Sequence, residues 1–321
     1  MWDIPPCTLY KWYRDHLSDY RSDKSAGKWP AKFIEKVDSV TGEVLQDKPV
    51  VVFNPENIGE KMSIDDKAIG HEGYTILSNT QTGKIAMMME SIKVSELEQA
   101  LSLFGKNLLK VRSVSMDMSP TYFKLCYEQM PYTQIVIDKF HVMKYVYESL
   151  LEVRINIKKE LSEGLSKGKI KTENDKEILR ELELLNRCRN RLTQSPDKWS
   201  EATKELMEQI FSKYEKLKIA YILSQKFKDW YNRTNYFDDK KQIKNKLEQW
   251  YVAVKESEIK EFFSAAKMIR KHEENIMNYF SCGHTNANAE RLNGKIQRFV
   301  SANYGIRDKD FALYRIAGYF S

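Results

Sequence analysis

Cysteine is scarce in this sequence, and its spacing argues against two common kinds of framework. The four cysteines, Cys7, Cys126, Cys188 and Cys282, are far apart, and none forms a C-x-x-C pair. This spacing is typical of reduced thiols in a cytosolic protein and indicates neither a disulfide framework nor a cysteine-bound zinc ion. The five histidines show no zinc-type pairing either.

Long hydrophobic runs and familiar catalytic motifs are also missing. No apolar run approaches the length of a membrane span, and the N-terminus lacks the pattern of a signal peptide. We therefore expect a soluble cytoplasmic protein with no membrane partner. The sequence has no G-x-S-x-G motif, P-loop, Rossmann glycine pattern or H-E-x-x-H motif. It gives no signal for a serine hydrolase, a nucleotide-binding site or a zinc protease.

Charge, by contrast, is abundant. Charged residues make up 30% of the chain, and Lys and Arg outnumber Asp and Glu by 52 to 45, which gives a formal net charge of +7. Such an excess is compatible with a polyanion partner such as nucleic acid, and equally with a solvated basic surface. The hydrophobic content of 42% is sufficient for a core, and 321 residues are enough for two or three domains.

The most informative stretch runs from Asn107 to Val142 and predicts a strand, a helix and a second strand. The first strand breaks off at Asp117, Ser119-Pro120 begins the helix, and the second strand ends at Asp138. Phe123, Tyr127 and Met130 are predicted to share one face of the helix between them. Open α/β sheets usually place their chemistry at the carboxyl ends of neighbouring strands, so the two acids are candidate site residues.

The region before this stretch predicts a short helix, a basic segment and then a sheet. The basic segment, Tyr20 to Lys32, is either a flexible linker, which we favour, or an arm that contacts phosphates. The sheet is predicted to begin near Lys61 with a strand that ends in Asp65-Asp66, followed by a hairpin. Three strands joined by tight turns and then crossover units are the succession of the ribonuclease H-like fold.

Beyond Asp138 the pattern is helical. A long amphipathic helix is predicted over residues 142–161, followed by charge-rich helices with tryptophan core anchors to about residue 280. Thr285 or Asn286 is predicted to cap a last major helix, which ends at Tyr304-Gly305. The expected organisation has an N-terminal helix and basic linker, the first part of the core, a helical insertion and the final core helix, at residues 1–60, 61–142, 143–280 and 281–321.

The last major helix carries an acid followed by a basic stripe. Arg291, Lys295 and Arg298 recur at helical spacing, and Glu290 and Asn293 lie on nearly the same side as one another. Taken alone, Glu290 on this basic helix is interpreted as one half of an exposed ion pair, which would contribute little to stability.

Carboxylates gathered at strand ends suit hard divalent cations. Two Mg²⁺ or Mn²⁺ ions held in this way can activate an attacking oxygen and stabilise a leaving oxygen at a phosphodiester, with no protein nucleophile. Each acid also has a structural interpretation when taken alone. Asp138 is a possible helix cap, Asp117 a turn residue, and Asp65 and Asp66 solvated turn residues. Only the set of acids favours a metal site.

Four segments, SIDD, SVSMDMSPTY, IVIDKFHV and TNANAERLNGKIQRFVSANYGIR, resemble successive signature blocks of insertion-sequence DDE transposases. They are most similar to the ISL-type group, including its short ISAon-like members. The resemblance covers most of the chain from about Lys61 onward. It implies an α/β fold (α+β) with a ribonuclease H-like catalytic core and a large all-helical insertion before the final core helix.

The resemblance also implies the site residues. Asp65, Asp117 and Glu290 fall on the family's catalytic acids and would bind two Mg²⁺ or Mn²⁺ ions. Asp66 stands where relatives commonly carry a second acid, and the choice between Asp65 and Asp66 stays open. The implied supporting residues are Asp66, Asp138 and His141. The implied DNA-binding residues are Arg291, Asn293, Lys295 and Arg298.

The implied function is metal-dependent cleavage at insertion-sequence ends and strand transfer into target DNA by a homo-oligomer. Longer relatives begin with a cysteine-rich zinc element and a helix-turn-helix, and no such cysteine pairs stand here. End recognition would then come from a separate polypeptide, from residues 1–60, or be absent. The alternatives are a ribonuclease H-like nuclease or resolvase, and a DNA-binding protein that has lost catalysis.

Overall fold

The computed structural model describes residues 4–37, 40–42, 44–165, 172–232, 239–282, 287–302 and 308–321. The chain divides into two compact units, one formed by Met1–Asp138 with Cys282–Ser321 and the other by Lys139–Ser281. The first unit contains a sheet with helices, and the second is helical. No helix in the described ranges is long and apolar enough to cross a membrane.

The strands belong to the first unit and are numbered in chain order. They are β1 (Lys32–Val37), β2 (Val44–Phe53), β3 (Lys61–Ile69), β4 (Glu72–Asn79), β5 (Lys84–Met89), β6 (Ser113–Met116) and β7 (Gln134–Ile137). The helices of the first unit before the insertion are α1 (Pro6–Trp12), α2 (Tyr20–Ser25), α3 (Val94–Ser102) and α4 (Pro120–Gln129).

The remaining helices follow β7. Those of the second unit are α5 (Lys139–Glu163), α6 (Glu173–Arg187), α7 (Glu201–Lys213), α8 (Glu215–Trp230), α9 (Lys240–Glu256), α10 (Lys260–Lys271) and α11 (Glu273–Cys282). The first unit is completed by α12 (Ala287–Ala302) and α13 (Lys309–Phe320).

Within the described residues, seven strands form one mixed sheet in the order β1-β2-β5-β4-β3-β6-β7. Strands β3, β4 and β5 pair antiparallel, whereas β3, β6 and β7 run parallel. The predicted hairpin is confirmed as β4 and β5, and the turn between them places Gly83 at a positive φ of 73°, which favours glycine. The mixed α/β class is therefore confirmed.

The sheet begins earlier than predicted. Strands β1 and β2 precede Lys61, and β2 pairs with β5, so the prediction that the sheet starts near Lys61 is wrong. At this edge of the sheet Ile34 is buried while Lys32 and Glu35 are exposed, and such a charged strand looks like a loop in sequence.

The basic segment before β1 is not a flexible linker. Tyr20 and Trp29 are each only 6% exposed and belong to the core. Both side chains donate hydrogen bonds to the Asp310 carboxylate of α13, over 2.6 Å from Tyr20 Oη and 2.8 Å from Trp29 Nε1. Lys24 forms an ion pair with the same carboxylate. The predicted linker is therefore wrong, because these contacts dock the segment on α13.

One local prediction in the sheet unit is also wrong. Strand β3 does not end at Asp65-Asp66 but runs on to Ile69, because β4 continues to pair with it. Helix α4 begins at Pro120, and Phe123 and Tyr127 stack on one face with 6.3 Å between ring centroids, as predicted. Its buried residues are Tyr122, Leu125 and Cys126.

Helices cover both faces of the sheet. On one face Leu292 and Ile296 of α12 and Phe311 of α13 share a core with Ile76 and Met88 of the sheet. The other face carries α4, where Tyr122 Oη donates a hydrogen bond to Asp66 of β3. Successive side chains of a strand point to opposite faces, so the α12 face of β3 is the face of Asp65.

The second unit confirms the predicted helical region. Helix α5 buries residues such as Val146, Leu150 and Val153 along one stripe, as its periodicity predicted. Trp230 and Trp250 are 4% and 3% exposed and act as core anchors. The cap predicted at residues 285–286 and the helix end predicted at residues 304–305 lie outside the described residues.

Candidate active site

The pairing register brings three predicted acids level with one another. Each residue of β3 pairs with the residue of β6 numbered 52 higher, from Lys61–Ser113 to Ser63–Ser115. The same offset aligns Asp65 with Asp117, one pleat beyond the last paired residues. Strands β6 and β7 pair with an offset of 21, ending at Met116–Ile137, which aligns Asp117 with Asp138.

The row consists of Asp65 within β3, Asp117 directly after β6 and Asp138 directly after β7. Residues level with one another on neighbouring strands point to the same face, and neighbouring strands are about 4.8 Å apart. Asp65 therefore shares a face with Ser63, and Asp117 shares it with Ser115. The backbone N–H of Asp138 donates to the carbonyl of Met116 over 2.9 Å, which continues the parallel ladder to the level of the acids.

Asp65 is half-buried, and its carboxylate contacts α12. Its Oδ2 accepts a hydrogen bond of 2.7 Å from Asn293 Nδ2, and its Oδ1 accepts one of 2.9 Å from the backbone N–H of Asp66. Because the first bond joins β3 to α12, it fixes α12 beside the first acid.

Helix α12 packs with one face on the sheet. Ala289, Leu292 and Ile296 are buried on this face at helical spacing. Glu290 stands one turn before Asn293 in the first turn of the helix, and its side chain is exposed. The predicted basic stripe is exposed as well, at Arg291, Lys295 and Arg298.

Asp66 points to the opposite face and belongs to a separate hydrogen-bond network. Its Oδ1 accepts hydrogen bonds from Tyr122 Oη and, over 2.9 Å, from Thr75 Oγ1. Thr75 Oγ1 also lies 2.6 Å from the carbonyl of Ser91. Burial raises the pKa of Tyr122, and the Asp66 carboxylate raises it further, so the phenol remains a proton donor.

Asp117 is half-buried and takes part in the turn that begins α4. Its Oδ1 accepts a hydrogen bond of 2.8 Å from the backbone N–H of Ser119. This is a local turn contact that fixes the chain just before α4, and Ser119 itself makes no side-chain cap. Among the described residues, Asp117 Oδ2 accepts no hydrogen bond.

The remaining predicted site residues lie at the start of the insertion. Asp138 is 7% exposed and is the last residue of the first unit before the helical insertion begins. His141 is in the first turn of α5, in the second unit, and its ring packs edge-on against Phe140 at 5.5 Å between centroids.

The site residues fit a divalent cation in part. Asp65 and Asp117 supply hard carboxylate oxygens on one face, and the buried Ser63 hydroxyl beneath Asp65 has no hydrogen-bond partner. Within the described ranges, however, no group of three or more His, Cys, Asp or Glu residues is arranged to hold a metal. The third predicted acid, Glu290, is therefore not brought into a cluster with the other two.

Sequence reasoning missed three polar residues around the acids, Thr75, Tyr122 and Ser63. Thr75 stands opposite Asp66 in the β3–β4 pairing, and the signal for it was the tight turn between these strands, which sets their register. Tyr122 is buried on α4 beside the residues that the helical spacing singled out. Nothing in the sequence distinguishes Ser63 from other small strand residues.

Comparison with protein families supports the resemblance described above. A transposase family model of the ISL3 DDE type matches residues 62–316, which run from β3 into α13 and include the acid row and α12. Comparison with curated proteins found no match, and comparison with solved structures found none either. The family match covers well over half of the chain and confirms the predicted family. The chain therefore belongs to the ISL3-type family of DDE transposases.

Proposed function

We propose that this chain is the catalytic subunit of a transposase, which hydrolyses the phosphodiester at the ends of an insertion sequence and joins the freed 3′-hydroxyl to target DNA. The observation that carries the proposal is the β3–β6 register, because its offset of 52, continued beyond the last pair Ser63–Ser115, aligns Asp65 with Asp117. Asn293 ties α12 to the first of these acids.

The strand order supports a ribonuclease H-like core within this unit. Three antiparallel strands, β5, β4 and β3, are followed by the parallel strands β6 and β7, and helices cover both faces. Strands β1 and β2 extend the sheet at the β5 edge. The helical insertion separates β7 from α12, the helix that would supply the third acid.

Asp65, Asp117 and Glu290 are the residues that would hold divalent cations. Bound Mg²⁺ or Mn²⁺ supplies activation of the attacking oxygen and stabilisation of the leaving oxygen. Glu290 and Asn293 are three residues apart on α12, so they project from neighbouring positions of one helix face. Asn293 already reaches Asp65, and this contact supports Glu290 as the third ligand.

Other residues of the site bind and orient DNA or the acids. Arg291, Lys295 and Arg298 would contact phosphates beside the acid row, since all three are exposed on the helix that carries Glu290. We assign supporting roles near the scissile DNA to Asp138 and His141. We propose that the chain acts as a homo-oligomer on DNA, with the ends read by a separate polypeptide or by residues 1–60.

The test is a cleavage assay on linear DNA that carries the ends of the insertion sequence, with Mg²⁺ present. Replacing Asp117 with Asn should abolish cleavage while DNA binding persists, because only the charge of the acid is removed. Asp197→Asn, the same chemical change at an exposed residue of the second unit, should cleave as the wild type does. Cleavage retained by the Asp117 variant would refute the assignment.

A second candidate function is a DNA-binding protein that has lost catalysis. The exposed Glu290, and the lack of a three-ligand cluster among the described residues, favour this alternative. A Mn²⁺ titration separates the two functions: binding that is lost in the Asp65→Asn and Asp117→Asn variants supports the catalyst. A pre-cleaved end with a free 3′-hydroxyl then distinguishes a transposase, which joins it to target DNA, from a nuclease or resolvase, which does not.

A further inference from the structure

The net positive charge of the chain comes from one of its two units. Lys139–Ser281 holds 30 Lys and Arg residues against 23 Asp and Glu residues, which gives this helical unit a formal charge of +7. The rest of the chain holds 22 of each and is formally neutral. The net electrostatic attraction for a polyanion therefore comes from the helical unit, whereas the unit with the acid row contributes only local basic sites such as the stripe of α12.

Within the helical unit, three arginines are concentrated where α6 ends. Arg187, Arg189 and Arg191, which we name the arginine turn, are all exposed. The residues between and after them, Cys188 and Leu192, are each 0% exposed and anchor the turn in the core. The backbone N–H of Leu192 donates to the carbonyl of Cys188 over 3.0 Å, so the turn has a defined backbone from which the arginines project.

The arginine turn has no carboxylate partners in the described part of the chain. Other cations of the same unit are paired, for example Lys144 with Glu148 and Lys204 with Glu201. Within the described ranges none of the three arginines forms an ion pair of this kind, and Arg191 Nη1 makes only a long hydrogen bond of 3.5 Å to the neutral Gln194 Oε1. No carboxylate of the described residues therefore neutralises these guanidinium groups, and an external anion can pair with them.

A fourth arginine adds positive charge next to the arginine turn. Arg154 of α5 is only 6% exposed, and its Nη1 donates to the carbonyl of Leu185 over 3.0 Å. Its Nε has no hydrogen-bond partner. Burial lowers the pKa of Arg154, and the neighbouring Arg189 lowers it further, because the two cations repel one another.

The end of α6 does not account for so many cations by itself. A helix C-terminus is equivalent to roughly half a negative charge and favours one nearby base. Arg154 already occupies that position by its bond to a carbonyl of the last turn. The three exposed arginines remain as a surface with excess positive charge.

We propose that the arginine turn is a DNA contact of the helical unit, separate in sequence from the basic stripe of α12, and that it binds phosphates of duplex DNA. This inference rests on the proposed function for its choice of DNA as the anion. Guanidinium groups pair with phosphate oxygens in a bidentate manner, and such contacts position DNA without reading its sequence. The contact therefore strengthens binding to any duplex by a similar factor.

The experiment measures binding of the full chain to fluorescent duplex DNA by anisotropy, in EDTA and at several salt concentrations. Each lost phosphate contact lowers the salt dependence, the slope of log K against log salt concentration, by about 1. Arg187→Gln/Arg189→Gln/Arg191→Gln should therefore bind more weakly on every duplex, with a slope smaller by about 3. The matched control, Lys144→Gln/Lys176→Gln/Lys204→Gln, removes the same charge from lysines that already have glutamate partners and should change the slope by less than about 1.

Three results would overturn the inference. They are a slope equal to that of the wild type, a slope equal to that of the lysine control, and no binding of duplex DNA by the wild type. A lower thermal midpoint with an unchanged slope would show that the arginines only stabilise the end of α6. Binding in EDTA does not depend on cleavage, so failure here leaves the Asp117→Asn test of the proposed function intact.

Discussion

Asp65 and Asp66 are adjacent in sequence, and we predict that their replacement has opposite consequences. Asp65 faces α12 and belongs to the proposed acid row, whereas Asp66 accepts hydrogen bonds from Tyr122 and Thr75 on the other face. Asp65→Asn should abolish metal-dependent cleavage and leave stability almost unchanged. Asp66→Ala should lower stability and leave cleavage intact at temperatures where the variant is folded.

The magnitude follows from the partners that each change leaves behind. Asp66→Ala leaves the Tyr122 hydroxyl, on a side chain only 2% exposed, without its charged acceptor. A hydrogen bond to a charged group contributes about 1.5–3 kcal/mol, and water competes for the exposed Asp66 carboxylate, so we expect a loss of about 1.5 kcal/mol. At Asp65, an asparagine oxygen can still accept from Asn293, and the loss should be no more than about 0.5 kcal/mol.

The assay is urea unfolding followed by circular dichroism, combined with the cleavage assay on the same preparations. A double-mutant cycle of Asp66→Ala with Tyr122→Phe isolates the pair, and its coupling energy should be about 1–2 kcal/mol. The reasoning fails if Asp66→Ala is as stable as the wild type. It also fails if Asp66→Ala is folded and inactive while Asp65→Asn still cleaves, because the first catalytic acid would then be Asp66.

Three further predictions concern the packing of the first unit and the thiols of both. Burial raises the pKa of Asp310, but hydrogen bonds from the N-terminal segment outweigh burial, and the net effect is a lowered pKa. The ionised carboxylate therefore stabilises the fold above about pH 4, and this contribution is lost as the pH falls. Thermal melts at pH 3 and pH 7 should therefore differ less in Asp310→Asn than in the wild type. Burial raises the pKa of Cys126 to about 12 and that of Cys188 to about 11, so iodoacetamide at pH 8 should leave both unmodified until urea is added, as mass spectrometry of the alkylated chain would show. Ile296→Ala truncates a side chain on α12 that is 0% exposed, and it should lower the free energy of unfolding, measured by urea titration, by about 2–5 kcal/mol. A loss below about 1 kcal/mol would show that α12 is not packed on the sheet.

The parts of the fold with a clear period were predictable from sequence. The β4–β5 hairpin, α5 and the helical insertion follow from alternation or from helical spacing. Strands β1 and β2 were not recognised, because the outer strand β1 is charged and β2 joins the sheet by pairing with β5, which is not its neighbour in sequence. The docking of Tyr20 and Trp29 on α13 was equally hidden, since it depends on residues nearly three hundred positions away.

The candidate site was predictable as a set of residues but not as an arrangement. The spacing of 52 between Asp65 and Asp117 was visible in sequence, yet its meaning as a strand register requires the pairing of β3 with β6. The different roles of Asp65 and Asp66 depend on which helix covers each face of β3. Tyr122 was not recognised as the partner of Asp66, because their contact depends on how α4 packs against β3, and the network that holds Asp66 was therefore not predicted.

The position of the insertion has a consequence for how the protein is made on the ribosome. The segment that completes the sheet unit, from Cys282 onward, is synthesised only after the whole helical unit. Until then Ile76 and Met88 lack the cover of α12 and α13, and Asp65 lacks Asn293. The apolar sheet face thus stays uncovered until α12 and α13 have been made, and any nuclease activity that needs Glu290 begins only after the helical unit has been synthesised.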